Sequence, residues 1–133
     1  MKKVLIGLLG LLLLTSCTET IVQECPNWKV VDITAPENSW GWDAAGGYYF
    51  ATVDVPELTD FVCKDGFVQI YEVDGDYQWP LPYTRYKEDE EGNRWEVTMD
   101  YEFAPGVVYF YCSANDFLES HPGEKHFRMV LHW

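Results

Sequence analysis

Histidine is the side chain most often used for acid–base chemistry and metal binding near neutral pH, and it occurs three times in this chain of 133 residues. His126 and His132 are six positions apart in a strand-like segment, so they face the same side. At about 3.3 Å per residue their separation is roughly 20 Å, too far to bind one metal ion together. His121 lies in a loop-like stretch. We therefore expect three surface histidines and no histidine-based metal site.

Other catalytic patterns are weak. No serine stands in a G-x-S-x-G turn, and no local signature of a cysteine nucleophile is present. A glycosidase needs two neighbouring carboxylates, but in a chain with 22 acidic residues some pair will always be close. Such a pair is therefore no specific sign of glycosidase activity. Asp74-Gly75-Asp76 and the acidic run 88–91 offer oxygen ligands for calcium but lack EF-hand spacing, and turn chemistry and solvated charge explain them better. The sequence predicts no catalytic residue, no metal site and no cofactor.

Three tryptophans are the candidate ligand contacts. Trp40 and Trp42 stand two apart beside glycines in NSWGWDAAGGYYF. They either present rings to a sugar or a protein partner, or fold back over the end of the core; we expect the second for at least one of them. For Trp79, in QWPLPY, we likewise place edge packing ahead of ligand contact.

Four cysteines are present. Cys63 and Cys112 lie in structured segments and are our preferred disulfide pair, whereas Cys25 lies in a tether-like stretch. The alternative, that Cys63 and Cys112 are small buried apolar residues, has equal weight.

The remaining cysteine, Cys17, belongs to an N-terminal signal. Lys2 and Lys3 precede an apolar run of eleven residues (4–14), which is typical of a secretory signal and too short to span a bilayer. Leu14-Thr15-Ser16-Cys17 follows. It resembles the lipobox of bacterial lipoproteins, which implies a signal peptide at 1–16 and acylation of Cys17. An ordinary signal peptide is the alternative.

The resemblance also implies a location. Thr18, rather than aspartate, follows the modified cysteine, which favours the outer membrane, on its periplasmic face or at the cell surface. Acyl chains at Cys17 would provide the attachment. The mature chain keeps all 22 acidic and seven of the nine basic residues, for a charge of about −15. That charge argues against nucleic acid and anionic lipid headgroups, and permits a basic partner or divalent cations.

After a lipidated tether (17–27), the apolar periodicity is that of strands. RWEVTMDYEF (94–103) alternates fully, with Trp95, Met99 and Phe103 expected inward. VVYFYCSA is apolar on both faces, as a central strand would be, and YQWPL, with Pro80 and the following Pro82, suits a sheet edge. The remaining strand-like segments are WKVVDI, GYYFATVDV, GFVQIYEV, YTRYK and KHFRMVLHW.

One helical segment interrupts the strands. In VPELTDFVCKDG, Pro56 suits a first turn, Gly66 can end the helix, and one face carries Leu58, Phe61 and Val62. A second short turn is predicted in SANDFLES. Seven or eight strands over residues 28–133 predict a single all-β sandwich, immunoglobulin-like or jelly-roll-like. VPELTDFV, WPLPY and FRMVLHW give the domain a general resemblance to small β-sandwich lipoproteins of Gram-negative bacteria, which supplies no catalytic residue.

These observations favour a non-catalytic envelope lipoprotein, attached to the membrane by its lipid anchor, that binds an envelope protein or a glycan. Of these two ligands, a protein partner is slightly favoured over a glycan. The alternatives are an inhibitor of a basic envelope-attacking enzyme, a small hydrolase without an assembled site, and a passive structural component.

Overall fold

The computed structural model describes residues 27–115 and 121–133 of the chain. In these residues nine strands form two antiparallel sheets, so the predicted all-β sandwich is confirmed, with slightly more strands than expected. Helical structure in the same residues is limited to helix α1 (Asp60–Asp65) and a 3-10 turn (Glu37–Ser39). The strands are β1 (Trp28–Ala35), β2 (Gly41–Asp43), β3 (Tyr48–Asp54), β4 (Phe67–Asp74), β5 (Tyr77–Pro80), β6 (Tyr83–Glu88), β7 (Arg94–Ala104), β8 (Val107–Ala114) and β9 (Lys125–His132).

Several predicted features lie outside the described residues. They are the signal peptide (1–16), Cys17 and all of the tether (17–27) except Asn27. The same holds for most of the predicted helical turn in SANDFLES, whose first two residues belong to β8. No helix in the described part of the chain is long and apolar enough to cross a membrane.

The strand order is β1-β9-β4-β5 in one sheet and β2-β3-β8-β7-β6 in the other. Strand β8 has the predicted central position, because it pairs with both β3 and β7, and its Val108, Phe110 and Cys112 are buried toward the opposite sheet. The strands β5 and β6 are consecutive in the chain and form the free edges at one side of the sandwich. Pro80 ends β5 at that edge, as predicted, where a missing N–H interrupts no ladder.

The predicted alternation of β7 is confirmed at its centre. Met99 is fully buried and pairs with Cys112, whereas Asp100 faces solvent. Phe103 is not part of the core: it lies near the end of β7, remains 37% exposed and stacks on Tyr101 at 6.3 Å between ring centroids. The opposite sheet no longer covers the strand there.

The two sheets meet through stacked aromatic rings. Phe110 of β8 and Phe127 of β9 are both buried, with their centroids 3.9 Å apart and their planes 9° from parallel. Burying rings of this size contributes a large share of the hydrophobic stabilisation. The core that surrounds them includes Ile33, Ala51, Val55, Leu58, Ile70, Met99, Val108, Met129 and Leu131.

Helix α1 closes one end of this core. The Thr59 hydroxyl accepts a hydrogen bond from the Val62 N–H at 3.2 Å, and Gly66 ends the helix as predicted. Leu58 and Val62 are buried, but Phe61 is 56% exposed, so the prediction that it shares their buried face was wrong. The helix begins at Asp60 with Thr59 as its cap, so the prediction that Pro56 lies in its first turn was wrong. With only six residues, the helix presents a narrow apolar stripe to the core.

Candidate ligand-binding cleft

The inner faces of the edge strands β5 and β6 carry aromatic and basic side chains where the centre of the sandwich carries aliphatic ones. On β5, Trp79 pairs with the buried Glu72, so Trp79 and Tyr77 point to the inner side. On β6, Tyr83 pairs with the buried Met99, and its inward neighbours at two-residue spacing are Arg85 and Lys87.

Arg85 bridges the two sheets at this edge. Its guanidinium carbon lies 4.2 Å from the centre of the Trp79 ring and 6.0 Å from that of Tyr83. Tyr77 stacks on Trp79, with ring planes 10° apart and centroids at 6.3 Å. A cation over an aromatic face is attracted by the ring quadrupole, so this contact holds Arg85 and Trp79 in place.

A buried polar triad forms the floor. Glu72 is 4% exposed; Lys125 Nζ donates to its Oε1 at 2.7 Å, and the Tyr83 hydroxyl donates to its Oε2 at 2.6 Å. Burial, together with the hydrogen bond to Glu72, raises the pKa of Tyr83 well above its ordinary value, so its hydroxyl remains a donor. Both carboxylate oxygens are therefore occupied, which offsets the cost of burying the charge.

Two cavities meet above this floor. The inner cavity, about 80 Å³, lies at the end of the sandwich and its walls include Trp42, Tyr49, Trp95 and His121. The outer cavity, about 410 Å³, lies between β5 and β6 and its walls include Tyr77, Trp79 and Arg85. Because Tyr83, Lys87 and Lys125 line both cavities, the inner and outer cavities form one cleft, named the cleft from here on.

The charges in the cleft differ from those of the rest of the molecule. The described residues contain seven lysines and arginines, five of which form ion pairs with carboxylates: Lys29, Lys64, Arg94, Lys125 and Arg128. The other two, Arg85 and Lys87, have no carboxylate partner among the described residues, and both face the cleft. The described lining of the inner cavity contains two lysines and no aspartate or glutamate, whereas that of the outer cavity contains Arg85, Lys87 and Lys125 together with Glu72 and Asp74.

The structure separates the three tryptophans that the sequence suggested. Trp40 is 7% exposed and packs in the core, and its indole N–H has no hydrogen-bond partner among the described residues. This agrees with the expectation that at least one tryptophan folds over the core. Trp42 is half-buried against Tyr49, at 4.8 Å between ring centroids, and lines the inner cavity. Trp79 lines the outer one. The fold thus brings Trp42 and Trp79 to one cleft.

The preferred Cys63–Cys112 disulfide is not formed. Both cysteines are free. Cys63 lies in α1, and the loop before α1 is hydrogen-bonded to Gly106 at the start of β8. Cys112 lies six residues after Gly106, so it is roughly 20 Å away from that glycine along β8. A disulfide requires Cα atoms within about 7 Å. Cys112 instead fits the alternative of a buried apolar residue, and burial raises the pKa of its thiol. Cys25 lies outside the described residues.

The histidines do not assemble a catalytic or metal-binding group. His126 and His132 are exposed, as predicted, and His121 is exposed but packs edge-on against Tyr49, at 5.1 Å between ring centroids. In residues 27–115 and 121–133, no three His, Cys, Asp or Glu side chains are grouped so that they could hold a metal ion.

Sequence reasoning missed most of the cleft. Tyr77 lies in a segment predicted as an edge strand, and Tyr83, Arg85 and Lys87 lie in one predicted only as a strand; neither prediction considered what the inner faces carry. A signal was present, because in YTRYK the alternate positions are tyrosine, arginine and lysine, which is unusual for a face that points between two sheets. The partnership of Lys125 with Glu72 joins residues 53 positions apart and left no local signal.

Comparison with known proteins adds no assignment. No protein-family model matches the sequence, and neither the curated proteins nor the solved structures give a significant match.

Proposed function

We propose that this chain is a non-catalytic, lipid-anchored binding module of the cell envelope, and that the cleft binds a glycan. The observation that carries the glycan assignment is the pair of aromatic walls, Trp79 with Tyr77 on one side and Trp42 with Trp95 on the other, which flank shared polar side chains. The C–H face of a sugar ring is apolar and packs on an aromatic ring, while its hydroxyls need polar partners.

The shape of the surface supports a glycan over the protein partner that the sequence slightly favoured. The sequence suggested Trp40 and Trp42 as anchors for a protein partner, but Trp40 is buried in the core and Trp42 faces a cavity. The cleft is concave and narrow, with aromatic walls and donor groups at its floor. These features fit a chain of sugar rings.

The geometry also supports a binding role over hydrolysis. Glu72 is the buried carboxylate of the cleft, and both its oxygens already accept hydrogen bonds from Tyr83 and Lys125. A general acid or base must reach the substrate with a free position. Glu72 therefore acts as a structural clamp between the sheets.

The position of Asn27, the first residue that the structure describes, is compatible with an anchor. Asn27 pairs with Trp133 at the α1 end of the sandwich, whereas Lys125, at the other end of β9, lines the cleft. Seven residues of strand separate Lys125 from His132, or about 23 Å. An acyl anchor at Cys17 would reach the domain at the end remote from the cleft and would leave the cleft open.

Two experiments test the proposal. For the anchor, cells are labelled with a fatty-acid analogue; Cys17→Ser should abolish labelling, and normal labelling of the variant would contradict lipidation. For the cleft, the full chain is purified in detergent and titrated with envelope polysaccharides.

In that titration, Trp79→Ala should weaken glycan binding about tenfold, because it removes one stacking platform. Trp28→Ala, which removes an exposed tryptophan from the outer face of β1, is the matched control and should have no effect. If both variants bind as the unchanged chain does, the cleft is not the glycan site.

A further inference from the structure

Resting on the proposed glycan site, we propose that the ligand is an acidic glycan whose carboxylates pair with Lys87 and Arg85 in the cleft. The starting point is the distribution of ion pairs. The chain has 22 acidic residues, and every described lysine and arginine outside β6 forms an ion pair with a carboxylate. Arg85 and Lys87, two positions apart on β6, are the exceptions among the described residues.

Lys87 is placed to meet an anion that enters the inner cavity. It lines that cavity together with Lys125, whose charge is already balanced by Glu72 at 2.7 Å. Trp42 and Trp95 line the same cavity. Lys87 is exposed, and an ammonium group without a counter-ion gains a charge-assisted hydrogen bond from a carboxylate that reaches it.

Arg85 is placed to meet a second anion in the outer cavity. The face of its guanidinium is occupied by Trp79 at 4.2 Å, but stacking leaves the N–H groups at the rim of the plane free. Those groups match the two oxygens of a carboxylate. A sugar ring on the aromatic wall would hold its acidic group beside this edge.

The overall negative charge of the chain does not oppose this assignment at short range. Repulsion between an acidic glycan and distant surface carboxylates is screened within about 8–10 Å at physiological salt. Contacts inside the cleft act over shorter distances and dominate the selectivity.

The test uses a set of uronic-acid oligosaccharides and their methyl esters, which share rings and linkages and differ only in charge. The lipidated full chain in detergent is titrated with both by calorimetry. We expect the acids to bind about tenfold more tightly than the esters. Lys87→Gln should reduce the affinity for the acids about tenfold and that for the esters much less, because an ester loses at most a neutral hydrogen bond there. Lys64→Gln, on the exposed face of α1, should change neither.

The outcomes separate this inference from the proposed function. Equal affinity for acids and esters, with Trp79→Ala weakening both, would overturn the acidic preference and retain the glycan site. Equal loss of acids and esters in Lys87→Gln would also overturn it, since the lysine would then serve any sugar. If no oligosaccharide binds, both the preference and the proposed site are contradicted.

Discussion

The centre of the sandwich and the cleft are built from the same alternation but from different side chains. At the centre, inward positions of β7, β8 and β9 hold Met99, Phe110 and Phe127, all at most 1% exposed. At the edge, inward positions of β5 and β6 hold Trp79 and Arg85. An inward position becomes core only where the opposite sheet covers it. At the edge formed by β5 and β6 the same face is left open and lines the cleft.

The largest expected contrast lies within the centre itself. Met99→Asn leaves a cavity and buries an amide without partners, so it should lower the free energy of unfolding by about 3 kcal/mol or more. Asp100→Asn introduces the same amide on the outer face and should change it by less than about 0.5 kcal/mol. Urea unfolding of both variants measures the difference. Similar midpoints would show that the register of β7 is wrong.

An intermediate loss of unfolding free energy is expected for a substitution at the floor of the cleft. Lys125→Met leaves the buried Glu72 carboxylate without its cation and should cost about 2 kcal/mol, less than the loss at Met99 because Lys125 is partly exposed. The control is Lys64→Met, which breaks an exposed pair with Asp60 and should cost under about 0.5 kcal/mol. Thermal melts compare the two. Equal small losses would mean that the triad does not clamp the sheets.

The smallest effect is a pH dependence at Tyr83. Its pKa is raised in the folded protein, so below pH about 10 both states keep the proton, and at higher pH only the unfolded chain loses it. Stability should therefore fall as pH rises above about 10, by up to about 1.4 kcal/mol per pH unit from this group. Tyr83→Phe should be less stable at neutral pH by about 1 kcal/mol, through its lost hydrogen bond, and should show a shallower alkaline decline. Unfolding free energies between pH 7 and 11 test this, and an unchanged decline would contradict it.

Sequence reasoning predicted the strands well because period-two alternation is local. The central position of β8, the edge position of β5 and the end of α1 at Gly66 all followed from short segments. The burial of Phe61 and Phe103 was predicted wrongly for one common reason. Periodicity assigns a side chain to a face, but coverage at the end of an element depends on where another element stops.

The candidate site was predictable only in part. Trp42 and Trp79 were chosen because tryptophan is a frequent contact residue, and both lie in the cleft, but Trp40 met the same criterion and lies in the core. The Cys63–Cys112 pairing failed because membership of structured segments, the ground for the prediction, does not say which end of a strand a helix adjoins.

By itself, the sequence determined the class of fold, the faces of the strands, the negative charge and, by resemblance, an expected lipid anchor. These properties depend on neighbours a few residues apart or on simple sums over the chain. The tertiary structure alone decided which inward faces stay uncovered, that Glu72 joins Tyr83 and Lys125, and that Arg85 and Lys87 face a cleft without carboxylate partners among the described residues. Those relations arise when two sheets that are distant in sequence are brought together, because burial and ion pairing depend on distances in space.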